Sequence, residues 1–565
     1  MRRLLLLLAL VCASLAAPAL YRALHPATRP PVVLITVDTL RPDAVGEHTP
    51  ALHAFLGTAR RFAGARTVAP LTVPAHASLF TGLLPGRHHL HDNVGPPLPD
   101  AGQRAFPLLA EELREAGYAT AAFVAHGVLR PDAGLHGGFD EYASPGAQVE
   151  STGGYTQAPA QVDAALAWLE RRDPARPWFL WVHLFDPHEP YQAFPGDEKR
   201  TRTREFDAAR DLYHGEVRRV DAAIERLLAA VGPDAVVVLA SDHGEGLGDH
   251  GEATHGALCY GSTADAFLAV RAPGYEPGSV DDGPRSLCDV APSVRDLCGL
   301  PARDGDGRPL LGPPHEVVVT ESVYVWRIHG WGQCFAATDG RFTLVESGPR
   351  VEFFDRASDP GERRPLPHHD APEFERHDRA LIAMRELRPP AGTQWESRAD
   401  VVAYAAARRP FGAYLTRREN AARPDPKPLV KTWMRFTALP RAITFHLSRH
   451  DARGLEGMLE VLRGYVPEMA GSPMPHQYLA SVHYELGRLT NDPSRYLAAS
   501  REQRRAIELG HTLPEAFRLA AGYAALSGDE AELRAVLAAA AESGMVPDEA
   551  CRAALDEARR ALKRS

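Results

Sequence analysis

Three apolar runs in this chain each end in groups that could bind an ion or move a proton. Val32 to Val37 runs into Asp38, Trp178 to His183 runs into Asp186-Pro187-His188, and Val236 to Ala240 runs into Ser241-Asp242-His243-Gly244-Glu245. In open α/β sheets, reactive groups gather past the carboxyl ends of the strands, where loops diverge and helix N-termini point at the ligand. These acids and imidazoles are therefore expected to converge. A fourth stretch, APLTVPAHASLFTG (69–82), reads as a short helix capped by Thr72, with Pro74 in its first turn and Gly82 at its end. That arrangement puts a hydroxyl at a helix N-terminus, where unsatisfied amides and the dipole favour an anion. A capping Thr and a nucleophilic Thr look alike at this level, and the surroundings must distinguish them.

The elements that would position these groups are short β-branched runs at 32–37, 120–125, 178–183 and 236–240, separated by helical patterns at 106–116, 161–170 and 213–228. Continuous apolar runs of this length read as parallel strands buried on both faces. The alternation predicts an α/β sandwich with a mostly parallel central sheet, over residues 30–316. From Val317 the texture changes to short strands and turns, which predicts a small antiparallel subdomain over 317–395. An Arg-rich stretch with Pro424, Pro426 and Pro428 reads as a linker at 396–428. Beyond it, residues 429–565 show only amphipathic helices. Two stretches there, 476–489 and 514–544, echo each other in the manner of tetratricopeptide-like helical hairpins, with a plain helical bundle as the other reading.

A chain of 565 residues is too long for one core. Its 45% apolar and 24% charged residues exclude a wholly disordered chain and a polytopic membrane protein. The formal net charge of -9 is spread without long runs of one sign, which argues against nucleic acid as a partner. Residues 1–28 open with Arg2-Arg3, continue with an apolar block from Leu4 to Leu15 and end in small residues. That layout predicts a signal peptide or a single membrane anchor, and hence a periplasmic, extracellular or membrane-tethered protein. With Cys12 in that leader, Cys259, Cys288, Cys298, Cys334 and Cys551 are too scattered for a disulfide framework, leaving room for one or two bridges.

The blocks VVLITVDTLRPD, TPALHAFLGTARRF, APLTVPAHASLFTGLLPGRH, FLWVHLFDPHEPY, VVVLASDHGEGLGDHGEATHG and EFFDRASDPGE occur in the order found in the sulfatase-like family of the alkaline phosphatase superfamily. The chain resembles that family over about residues 30–366. The resemblance implies that Asp38, Asp242 and His243 bind a divalent metal and that Thr72 sits at the nucleophile position and faces it. Two carboxylates, an imidazole and a hydroxyl suit one Ca²⁺, Mg²⁺ or Mn²⁺, with Zn²⁺ left open by the His. It further implies that Asn93 touches the transferred group, and that His188 and His255 bind substrate or protonate the leaving group. His255 then takes a place often held by Lys. His76 and His250 are weaker matches.

Two departures shape the expected chemistry. The family signature begins with a Cys or Ser that is oxidised to formylglycine, in the pattern Cys-x-Pro-Ser-Arg; here that stretch reads Thr72-Val73-Pro74-Ala75-His76, and Thr cannot become that aldehyde. The second carboxylate of the usual Asp-Asp pair is Thr39. Asp186 and His188 lie too close in sequence to match the ligand set of binuclear relatives, so one metal is expected. The expected activity is hydrolysis of a sulfate or phosphate ester through Thr72, with phosphorus esters favoured. A phosphoryl head-group transferase is the first alternative, and an anion-binding pseudoenzyme acting through its repeats is the second. The helical domain is expected to dock a protein partner or to shield the active-site mouth.

Overall fold

The computed structural model describes residues 29–93, 97–145, 154–192, 205–367, 372–393, 414–436, 439–469, 471–543, 547 and 549–564. The expected leader at 1–28 and most of the expected linker lie outside the described residues. Among the described residues no helix is long and apolar enough to cross a membrane.

Among the described residues the central sheet has eight strands in the order β5-β4-β6-β1-β7-β8-β2-β9, with β5 at Glu141–Ala143, and β3 (Ala65–Arg66) and β10 (Arg285–Ser286) form a separate pair. Its middle is parallel: β4 (Ala119–Val124), β6 (Trp178–Leu184), β1 (Val32–Val37) and β7 (Val236–Ser241) lie side by side. β8 (Leu268–Arg271) runs antiparallel to β7, and the short β2 (Arg60–Phe62) and β9 (Val280–Asp281) complete that edge. Side chains alternate between faces, as the two-residue period of a strand requires. On β1, Val32 and Leu34 enter one apolar cluster with Phe80 and Trp181, whereas Val33, Ile35 and Val37 enter the opposite cluster. Helices Ala158–Arg171 and Glu205–Val231 cover this second face. Burial on both faces is why the strands lack polar alternation and could be recognised as parallel.

A separate four-stranded antiparallel sheet follows, built from β11 (Val318–Ser322), β12 (Cys334–Thr338), β13 (Phe342–Ser347) and β14 (Arg350–Asp355), and the helix Pro372–Arg385 packs with it through Leu381 and Met384. Among the described residues, eight helices make up the C-terminal region, from Pro426–Phe436 to Glu549–Arg564. The two echoing sequence stretches begin successive hairpins: Met474–Thr490 pairs with Pro493–Glu508, and Pro514–Ser527 with Glu530–Glu542.

One expectation requires correction. The helical region starts inside the stretch read as a linker, because Pro426 is well suited to the first turn of a helix whose Val430, Trp433 and Phe436 are buried. Among the described residues there is no disulfide, and Cys259, Cys288, Cys298, Cys334 and Cys551 are all buried free thiols. The helix Pro426–Phe436 also ties the helical region to the core. Its Val430, Trp433 and Phe436 share one apolar cluster with Ala257, Leu258, Cys259 and Tyr260, and Met434 Sδ accepts from Thr254 Oγ1 at 3.7 Å. Replacing Trp433 with Ala is expected to cost about 3–5 kcal/mol in a denaturant titration.

Candidate active site

The register of the parallel strands builds the site. Val37 of β1 pairs with Leu184 of β6 on one side and with Ser241 of β7 on the other, so Asp38 and Asp242 emerge next to each other at the carboxyl edge. Asp38, Thr72, Asp242 and His243 are all buried. Thr72 reaches them from the helix Thr72–Thr81, every residue of which is buried. Small residues at 75 and 77 let this helix lie deep in the core, and Phe80 packs on Trp181 with ring centres 4.7 Å apart. Gly82 ends the helix at φ 77°, a left-handed conformation that favours glycine.

Thr72 is not the cap that the sequence suggested. Leu71 occupies the N-cap with no side-chain hydrogen bond, and Thr72 is the first helical residue. Its hydroxyl is therefore released from capping and donates to Asp38 Oδ2 at 3.4 Å. The first turn is instead held by Asn93, whose Oδ1 accepts from the Val73 amide at 2.9 Å, and by His76, whose Nδ1 donates to the Thr72 carbonyl at 2.8 Å. His76 Nε2 lies 3.0 Å from Thr36 Oγ1, which in turn accepts from Trp181 Nε1 at 2.9 Å. Both ring nitrogens of His76 are thus engaged in holding the helix against the sheet, and its Nδ1 is 3.7 Å from Asp242 Oδ2.

The remaining atoms of the cluster are acceptors without donors. Asp242 Oδ1 accepts from the amides of Thr39 (3.2 Å) and His243 (2.8 Å), which leaves Oδ2 unpartnered. The Thr39 amide is aimed there by a left-handed backbone, φ 56°, unusual for a β-branched residue and held by Tyr213, whose hydroxyl donates to the Thr39 carbonyl at 2.9 Å. His243 Nδ1 donates to the Gly244 carbonyl at 2.9 Å, so Nε2 carries the lone pair. That Nε2 lies 3.5 Å from Asp242 Oδ2 and 3.7 Å from Asp38 Oδ1, and none of the three atoms has a hydrogen-bond partner. Three buried, unprotonated acceptors facing one another repel unless a cation or a proton sits among them. Burial pushes the Asp38 carboxyl up to about 7, and burial together with Asp38 raises that of Asp242. The donor set of two carboxylate oxygens and one imidazole nitrogen fits a divalent metal, and Asp38, Asp242 and His243 are the one such group found among the described residues.

His183, which sequence reasoning overlooked, completes the floor. It is fully buried on β6, its Nδ1 accepts from the Ala125 amide at 3.3 Å, and its Nε2–H is left unpartnered 3.6 Å from Asp38 Oδ2. Its position opposite Thr36 in the register, two residues before Asp38, was the available signal. His255 and His188 form the rim. The His255 ring lies 4.4 Å from that of His243 and 4.9 Å from that of His188, which stacks on Phe185. Burial holds His255 down at about 4, His76 at about 4 and His183 at about 3, so all three are neutral at pH 7 without ligand. His250 instead stacks on Tyr260 at 3.8 Å. Asp186 accepts from the Ala158 amide at 2.9 Å and serves the start of a covering helix.

The fold is alkaline-phosphatase-like, and its sulfatase relatives support a sulfuric or phosphoric ester hydrolase. Residues 30–300 match the sulfatase family model. The chain is 26% identical over 502 residues to a choline-sulfatase of Rhizobium meliloti, covering 72% of this chain and 95% of the relative. It is also 21% identical over 439 residues to an arylsulfatase of Clostridium perfringens, covering 59% and 89%. Among solved structures it is similar to the phosphonate monoester hydrolase of Silicibacter pomeroyi, with TM-score 0.52 and 22% identity over 65% of this chain and 97% of that one. A structure in complex with its substrate D-glucosamine-2-N,6-O-disulfate has TM-score 0.53 and 16% identity, covering 64% and 98%.

The raised carboxyls make a stability prediction. Asp38 keeps its proton in the folded metal-free protein up to about pH 7, whereas the unfolded chain loses it near the ordinary value of 3.8. The folded state binds more protons across that window, so metal-free stability falls as pH rises from about 4 to about 7. Mg²⁺, Ca²⁺ or Mn²⁺ should raise the melting temperature after EDTA treatment, most strongly above pH 7 and not in Asp242→Ala.

Proposed function

We propose that this protein hydrolyses sulfate or phosphate esters outside the cytoplasm, with Thr72 as nucleophile and one divalent metal held by Asp38, Asp242 and His243. The observation that carries this reading is the placement of a released hydroxyl, Thr72 Oγ1, 3.4 Å from Asp38 Oδ2 at the edge of three unpartnered buried ligand atoms. When bound, the metal lowers the pKa of a nearby hydroxyl and offsets charge on the ester's non-bridging oxygens.

The chain's own residues supply the remainder. The Thr72 proton is directed at Asp38 Oδ2, while Oγ1 bonds to phosphorus or sulfur as the ester oxygen departs with the bonding electrons. His183 Nε2–H offers a donor to the transferred group's oxygens, and Asn93 keeps the first turn of the Thr72 helix in register. Water then displaces Thr72 from the covalent intermediate. His188 and His255 stand where a departing oxygen or an entering water would pass.

Phosphorus esters are favoured over sulfate. A Thr alkoxide releases product through ordinary in-line displacement, and the aldehyde-hydrate route is closed to this side chain. The phosphonate monoester hydrolases among the structural neighbours show that the same fold accommodates phosphorus chemistry. The helical region is read as a tetratricopeptide-like module that docks a protein partner.

The test is a panel of aryl sulfate, phosphate mono- and diesters and phosphonate monoesters, together with metal analysis. Thr72→Ala is expected to lower kcat by roughly 10³-fold or more while retaining metal, and Asp242→Ala to lose both. Full activity in both variants would remove the assignment.

A further inference from the structure

We infer that Glu245 is a positioning residue for His255, fixing its tautomer so that Nε2 is kept as the proton acceptor for the water that releases the covalent intermediate. The inference rests on the ester-hydrolase reading above. Glu245 is fully buried, and among the described residues no Lys or Arg side chain forms an ion pair with it. A buried carboxylate without a cation is costly, and an apolar side chain would fill the space more cheaply. Its Oε1 accepts from His255 Nδ1 at 3.1 Å. The loop backbone at Glu245 is anchored separately, by Arg41 Nη1 donating to the Glu245 carbonyl at 2.9 Å. Besides the imidazole, Oε1 takes only a long contact from the Gly246 amide, 3.3 Å, and the Tyr191 hydroxyl lies near the carboxylate.

With its proton on Nδ1, His255 presents a lone pair at Nε2, which takes no hydrogen bond from the described residues. The ring lies 4.4 Å from that of His243, whose Nε2 belongs to the ligand cluster beside Thr72. In the release step the water oxygen bonds to phosphorus or sulfur and passes one proton to His255 Nε2. The bond to Thr72 Oγ1 breaks with its electron pair, and Oγ1 recovers the proton held at Asp38 Oδ2. Glu245 stabilises the imidazolium so formed, which returns its proton to solvent. A carboxylate that orients an imidazole through Nδ1 and steadies its charged form is a recurring device in hydrolysis.

The experiment uses the full chain with Mg²⁺, selective ¹⁵N-histidine labelling and an aryl phosphate assayed by rapid mixing. His255 should show the Nδ1-protonated tautomer in the wild type and lose it in Glu245→Leu. Both Glu245→Leu and His255→Ala should give a burst of alcohol release followed by slow turnover, with the transferred group found on Thr72 by intact-protein mass. Release should slow by roughly 10²–10⁴-fold in His255→Ala and by a smaller factor in Glu245→Leu, with no further loss in the double variant. Glu245→Met, of similar length but without an acceptor oxygen, keeps the test open if the Leu variant does not fold. An unchanged tautomer in both Glu245 variants overturns the inference, as does equal slowing of both steps without a burst. A wild type that turns over no ester, yet whose tautomer depends on Glu245, would count against the hydrolase reading while supporting the positioning role.

Discussion

Lone pairs crowd together at the carboxyl edge of the central sheet, where Asp38 Oδ1, Asp242 Oδ2 and His243 Nε2 are buried without donors and lie within 4.8 Å of one another. Much of the surrounding structure serves to keep that crowding in place. The parallel pairing of β1 with β7 sets the two acids side by side, the Gly244 carbonyl selects the His243 tautomer, and the Thr39 and His243 amides occupy the other oxygen of Asp242. Each contact removes a way for the cluster to relax by finding a proton donor. A protein tolerates such a conflict when a ligand resolves it, which is why unsatisfied buried acceptors are stronger evidence for a cation site than the residue types alone.

The catalytic core could be read from the sequence because its strands are buried on both faces and stop at charged residues. The expected runs at 32–37, 120–125, 178–183 and 236–240 coincide within a residue with β1, β4, β6 and β7. Tertiary contacts hid the rest. Whether Thr72 caps its helix or leads it depends on one backbone step at Leu71, and the bond to Asp38 spans 34 residues of sequence. His183 reads as one more member of an apolar strand until the register sets it opposite Thr36. Glu245 reads as part of a loop motif until His255 folds back over it.

The helical region is joined to this chemistry through the segment that carries His255. Thr254 contacts Met434, residues 257–260 share a core with Trp433 and Phe436, and Lys427 lies over the Tyr260 ring at 4.6 Å while pairing with Glu352 at 2.9 Å. The rim histidine is therefore braced from two directions, by Glu245 beneath and by the helix Pro426–Phe436 outside. A change in how that helix packs would be felt at His255 before it reached the buried ligand cluster, because the strand ends are locked by eight-stranded pairing and the rim is not.

Thr39 bears on which esters such a site would favour. Where the family resemblance leads one to expect a second carboxylate next to Asp38, this chain has a neutral Thr39 whose backbone amide serves Asp242. In the proposed reading, a divalent cation would be balanced by the two carboxylates of Asp38 and Asp242, and the neutral His76 and His183 add no charge. A third carboxylate would leave the cavity negative before substrate arrived. The charge gained by omitting it matters most for a dianionic phosphate or phosphonate ester, since the Coulomb term scales with ligand charge and is strongest in a buried, water-poor site. On that reading, the substitution that removes a carboxylate favours the more highly charged class of ester.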